Sequence, residues 1–146
     1  MAERTVIQSI TQRPTVTTSA QSSVYQAACL MTKANCGSVL VVSSAGALLG
    51  IFTERDLMTR IVAKGRDPKT TFLSEVMTKN PRTIAPDTAV SEAVLLMLEG
   101  GFRHLPILSA SARILGVFSI RDASPHEISE ADSLAEYLDQ INDARC

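Results

Sequence analysis

Twice in this chain a hydroxyl side chain stands three residues ahead of an aspartate, where an apolar run stops. The two runs are Gly50-Ile51-Phe52-Thr53-Glu54-Arg55-Asp56 and Gly116-Val117-Phe118-Ser119-Ile120-Arg121-Asp122. One chemistry open to that spacing is structural: Thr53 or Ser119 is a helix N-cap, and the acid at N3 closes a capping box and suits the helix dipole. The other is recognition. A strand running into a helix presents backbone N–H groups to an anion, and an acid there accepts hydrogen bonds from two neighbouring hydroxyls, as ribose-binding acids do. The roles are compatible, because a capped end is a rigid one. Arg55 and Arg121 fit a phosphate contact and a helix-surface ion pair equally well.

The elements that must position these residues are themselves duplicated. A shift of 66 residues lays the segment Thr15–Leu57 on Pro81–Ala123 without gaps. Thr17 falls on Thr83, Val24 on Val90, Ala27 on Ala93, Leu30-Met31 on Leu96-Met97, Leu49-Gly50 on Leu115-Gly116 and Phe52 on Phe118. Such a repeat is the dominant fold signal. Each copy opens with a short strand, Thr15–Thr18 or Arg82–Ile84. A helix follows, started by Ser22/Ser23 in the first copy and by Asp87/Thr88 in the second, with Glu92 as capping partner. Val90, Ala93, Val94, Met97 and Leu98 form its apolar stripe; Asn35 and Gly37, or Gly100-Gly101, end the two helices. Strand pairs come next: Ser38–Val42 with Leu48–Phe52, and Leu105–Leu108 with Ile114–Phe118. Only the first turn, Ser43–Ala47, contains a glycine, so Ser109–Arg113 carries the weaker hairpin signal. Short helices follow at Glu54–Ala63 and near Arg121. The Ser124-Pro125 break ends the second copy, His126 lies in a loop, and Ala131–Ile141 makes an acidic amphipathic helix.

Composition narrows the function classes. Trp is absent and aromatics make up only 4% of 146 residues, which argues against a stacking platform for single-stranded nucleic acid. Residues 126–146 hold six acids against Arg145 alone, and the rest of the chain is only mildly basic, without the Lys/Arg stripe that grips a duplex. Cys29, Cys36 and Cys146 fit no zinc spacing. Their odd number, with no export signal and no apolar run near membrane-spanning length, leads to the expectation of reduced thiols in the cytoplasm. Cys29 falls on the apolar helix stripe and is expected in the core; Cys36 and Cys146 are expected at the surface. The methionines, Met31 and Met97 among them, sit at core spacing.

GIFTERD and GVFSIRD, with SEVMTKNPRTIAPDTAV opening the second copy and FRHLPIL before its hairpin, make the chain resemble a tandem pair of cystathionine-β-synthase (CBS) domains, a Bateman module. The resemblance covers roughly residues 5–125. It implies an α+β fold of two β-α-β-β-α repeats, 5–65 and 74–125, packed sheet to sheet about a pseudo-two-fold axis, with 126–146 as an acidic helical tail. It also implies adenine nucleotide or related adenosyl ligands in two clefts. Carried onto this chain, one cleft combines Ile51, Thr53 and Asp56 with Thr83, Ile84, Arg103, His104 and Pro106. The other combines Val117, Ser119 and Asp122 with Thr17, Thr18, Ser38 and Val39. Arg103-His104 aligns with Gly37-Ser38, so the first cleft gains the charge suited to phosphate and is expected to be the tighter site for a charged nucleotide. AMP, ADP or ATP is preferred to S-adenosylmethionine or NAD.

Catalysis is not expected. There are two histidines, no serine with a His/Asp partnership, no metal-ligand cluster and no GxxxxGK[ST] loop. The expectation is a regulatory module without catalytic cofactor or metal, paired as a homodimer and acting on another protein. The alternative is a dimerisation or interaction protein with no physiological small-molecule ligand. Membrane and nucleic acid are not expected partners.

Overall fold

The apolar runs at strand spacing form both hairpins. In the computed structural model, which describes residues 3–10 and 14–144, the chain is a mixed α+β fold. In chain order it carries α1 (Val6–Ser9), β1 (Thr17–Thr18), α2 (Val24–Ala34), β2 (Ser38–Val42), β3 (Leu48–Thr53) and α3 (Glu54–Asp56). Then come α4 (Leu73–Val76), β4 (Thr78–Lys79), α5 (Val90–Gly100), β5 (His104–Leu108), β6 (Ile114–Ser119) and α6 (Pro125–Ala144). A π-helical stretch, Leu57–Val62, continues α3, and a 3-10 turn, Ile120–Asp122, follows β6.

Two compact units divide the chain, and they do not follow its order. One is built from Pro14–Arg82 with Ala110–Ile114; the other takes described residues 3–10, 83–109 and 115–144. The segment leading into each copy therefore folds with the helix of the other. α1, ahead of the first copy, bridges at Thr5 to Ala89, and α4, ahead of the second, bridges at Phe72 to Ser23. The helices are started alike: Val24 N–H donates to the Thr71 carbonyl and Val90 N–H to the Arg4 carbonyl, both at 2.9 Å. These bonds satisfy donors that a helix N-terminus leaves open.

In the first unit β1-β2-β3-β4 form a sheet, β1 parallel to β2 and the other pairs antiparallel. Strand alternation sends Val39, Val41 and Phe52 to the face that packs with Val24, Ala27, Met31, Ile61, Leu73 and Val76. Gly50 is required by strand spacing: an added Cβ would lie 2.7 Å from Met77 Sδ and 2.8 Å from the Thr78 carbonyl. In the second unit β5 and β6 pair. Leu105, Ile107 and Phe118 join Val6, Ile84, Val90, Ala93, Val94, Met97 and Ala131 of α6 in its core.

Several expectations change. The strand expected at Arg82–Ile84 is reduced to one bridge, Ile84 to Ile107. Leu40 N–H donates to the Val16 carbonyl in the first copy, but Pro106 stands in its place in the second and has no N–H to give. α5 begins at Val90 with Ala89 as N-cap and no side-chain cap, not at Asp87/Thr88 with Glu92. Ala89 aligns with Ser23, whose hydroxyl does cap α2, so the duplicated site has lost its capping group. α6 begins at Pro125 rather than Ala131 and takes in His126, which pairs with Glu130 at 2.9 Å. Proline is favoured in a helix's first turn, and Ser124 and Glu127 close a capping box across it. Cys29 is exposed, whereas Cys36 is half-buried against the first core; Cys146 lies outside the described residues.

Candidate functional site

The hydroxyl–acid pairs of both copies are locked to their own backbone. β3 runs extended into Thr53, whose φ of −117° and ψ of 165° turn the chain into α3. Thr53 N–H donates to Asp56 Oδ2 at 3.0 Å, and Asp56 N–H donates back to Thr53 Oγ1 at 3.2 Å. This is a full capping box. Asp56 Oδ1 is turned toward Arg60 Nε at 3.6 Å, and Arg60 Nη1 donates to the Val76 carbonyl at 2.6 Å. Glu54 N–H is held by the Gly37 carbonyl at 2.9 Å, which pins the helix start to the head of β2.

The second copy repeats the plan with a tighter turn. Ser119 N–H donates to Asp122 Oδ2 at 2.9 Å, Ser119 and Asp122 close a capping box, and Ser119 Oγ also accepts from Arg121 N–H at 3.3 Å. The contact to Arg121 N–H accompanies the 3-10 winding of Ile120–Asp122. Ile120 N–H is held by the Arg103 carbonyl at 3.0 Å, the counterpart of the Glu54–Gly37 bond. In each copy one carboxylate oxygen closes the cap. A carboxylate is chemically able to accept hydrogen bonds from a vicinal diol.

The remaining predicted residues divide by sheet face. In the first unit Thr17 is opposite Leu40, Leu40 opposite Ile51, and Ser38 opposite Thr53. Thr17, Ser38, Ile51 and Thr53 therefore share one face, the one turned away from that unit's core. Val39 lies in the core, and Thr18, on the Val41 side, has its hydroxyl 2.6 Å from that of Ser22. Arg55 is exposed at the motif. In the second unit alternation places His104, Pro106, Val117 and Ser119 on the face opposite Leu105, Ile107 and Phe118. Ile84 is a core residue whose N–H donates to the Pro106 carbonyl at 3.0 Å, which sets Thr83 and Ile84 alongside β5. Arg103 is exposed directly before β5, and Arg121 is exposed beside Asp122. The residues expected together as one cleft thus fall into two coherent sets, Ile51, Thr53 and Asp56 in one unit and Thr83 to Pro106 in the other.

Two arginines were not anticipated. Arg60 was legible as the i+4 partner of Asp56 on a helix. Arg4 was not, because its partners lie far along the chain. Its guanidinium takes the Glu127 carboxylate two-handed, Nη2 to Oε1 at 2.6 Å and Nε to Oε2 at 3.2 Å, and Nη2 also reaches the Asp122 carbonyl at 2.7 Å. The hydrogen bond from Arg4 holds the Glu127 carboxyl below its ordinary pKa, and the same bond raises that of Arg4. Among the described residues no group of three His, Cys, Asp or Glu side chains could hold a metal ion. No helix among them is long and apolar enough to cross a membrane.

The family model described as "CBS domain" matches the chain twice, at residues 7–63 and 73–124. An uncharacterized protein of Methanopyrus kandleri is 31% identical over 113 residues, which are 77% of this chain and 58% of that one. This chain thus spans little more than half of that relative's length. A CBS domain protein from Pyrobaculum aerophilum, solved in complex with AMP, superposes with a TM-score of 0.78 at 20% identity, covering 89% of this chain and 99% of its own. A CBS domain pair solved with 5′-methylthioadenosine and S-adenosyl-L-methionine has a TM-score of 0.74 at 23% identity, over 83% of this chain and 93% of that one.

Proposed function

The chain belongs to the CBS-domain family and carries the domain twice, and from that premise we propose that it is a regulatory module sensing an adenine nucleotide or related adenosyl ligand. The observation that carries this reading is the repeated strand-to-helix junction. In each copy a carboxylate is fixed by one oxygen to the backbone amide of the Thr53 or Ser119 that caps the turn. A carboxylate held in this way pays little ordering cost when it takes up a ribose diol. The AMP and S-adenosylmethionine complexes of proteins with this fold support the ligand class.

Thr53 with Asp56, and Ser119 with Asp122, hold the ribose in this reading, with Ile51 and Val117 as apolar neighbours. Arg103 and His104 supply the phosphate contact, and the copy with Gly37-Ser38 at that position offers no such charge. The stronger site for a charged nucleotide is accordingly the one that includes Arg103. The module acts by binding rather than by catalysis, and regulation requires its ligand to favour one arrangement, of the chain or of an assembly with itself or a partner protein.

Calorimetric titration of the full chain with AMP and with adenosine tests the assignment. Asp56→Asn and Asp122→Asn keep an oxygen for the cap but remove the charged diol acceptor, and each is expected to weaken AMP about tenfold or more. Arg103→Ala is expected to weaken AMP while leaving adenosine unchanged. Unaltered AMP affinity in both aspartate variants would overturn the ribose assignment. If no adenosyl compound raises Tm, the interaction-module alternative is favoured, since a specific ligand stabilises the state it binds.

A further inference from the structure

Arg4 joins three parts of the second unit that the sequence keeps far apart. Its carbonyl accepts the Val90 N–H at the start of α5, so its backbone is anchored. Its guanidinium bonds at once to the carbonyl of Asp122, the acid of the second motif, and to the Glu127 carboxylate in the first turn of α6. Glu127 is not held by Arg4 alone. Its Oε1 accepts the Ser124 N–H at 2.8 Å, and its N–H donates to Ser124 Oγ at 3.2 Å, so the same side chain closes the cap of α6. Ala123 alone separates Asp122 from that capping box. Farther along, Ala131 is fully buried in the second core, and Ile128, Ala135 and Leu138 pack against it.

One guanidinium thus restrains the backbone of the motif acid and the root of the C-terminal helix. The first motif is tied differently: Asp56 meets Arg60 from its own helical stretch, and Arg60 leads to α4. We propose that Arg4 is a positioning residue that couples occupancy of the Ser119–Asp122 motif to docking of α6, making the C-terminal helix the element through which that motif reports its ligand. The ligand half of this statement rests on the reading under Proposed function. Linkage makes the coupling reciprocal: if ligand tightens the α6 root, loosening the α6 root weakens ligand.

Amide hydrogen exchange on the full chain, with Arg4→Lys and Glu127→Gln, tests the coupling. Lysine keeps the charge but not the planar fork that serves two acceptors at once, and Glu127→Gln keeps a capping oxygen. Without ligand, both variants are expected to exchange about tenfold faster at residues 119–123 and in the first turn of α6, with residues 53–57 unchanged. In the wild type, AMP is expected to slow exchange in that first turn as well as at 119–122, and the variants are expected to lose the first of these effects. Unchanged exchange at 119–123 in the ligand-free variants overturns the coupling, as does AMP protection at 119–122 that never reaches α6. If AMP protects nothing in the wild type, the nucleotide reading falls, and the mechanical link is decided by the ligand-free exchange alone.

Discussion

Asp56 and Asp122 fill the capping role that their spacing allowed. Both side chains cap, and the cap consumes one oxygen of each carboxylate. Glu127 adds a titratable strap that spacing alone does not reveal. Its carboxyl is held below the ordinary carboxylate pKa by Arg4, so in acid the unfolded chain takes up this proton first. The stability it contributes is present above the ordinary carboxylate pKa and is lost as pH falls through its own lowered value. Near neutrality Glu127→Gln is expected to cost about 1 kcal/mol, the pair being partly exposed. Urea unfolding of wild type and variant across pH checks this: the gap between them is expected to close on acidification, and a gap that persists in acid excludes the ionic origin.

Hairpin turns show how a duplicated element diverges. Gly46, with φ of 83°, and Ala112, with φ of 65°, occupy equivalent positions in the two turns. A left-handed residue is ordinary for glycine and strained for alanine. Ala112→Gly is therefore expected to raise stability by up to about 1 kcal/mol, and Gly46→Ala to lower it by about as much. Thermal unfolding of the two variants measures both, and a destabilised Ala112→Gly would show the strain to be offset elsewhere. Element positions were otherwise well marked locally. The observed strands Ser38–Val42, Leu48–Thr53 and Ile114–Ser119 lie within a residue of the apolar runs read as strands. The errors have local chemical causes: Pro106 lacks the donor that would extend the Ile84 bridge, and Ala89 lacks the hydroxyl that Ser23 uses.

At the scale of the molecule, the tail is part of the second core rather than an appendage. Ala131 is fully buried, with Ile128, Ala135 and Leu138 against the same cluster. A chain ending at Ala123 is expected to lose several kcal/mol, since each buried apolar side chain contributes about 1.5–3 kcal/mol. Its Tm and its binding of a dye specific for exposed apolar surface would register the loss, and an unchanged Tm would show that α6 is dispensable. The sequence by itself determined the duplication, the strand pairs and the two hydroxyl–acid junctions, because each is written in contacts between near neighbours or in a repeat that spacing exposes. Only the tertiary structure decided that the segments leading into the two copies fold with each other's helices. It alone placed Cys29 outside and Cys36 against the core, and brought Arg4 to Asp122 and Glu127. Those outcomes depend on residues far apart in the chain, and no local periodicity records which distant surface a side chain will meet.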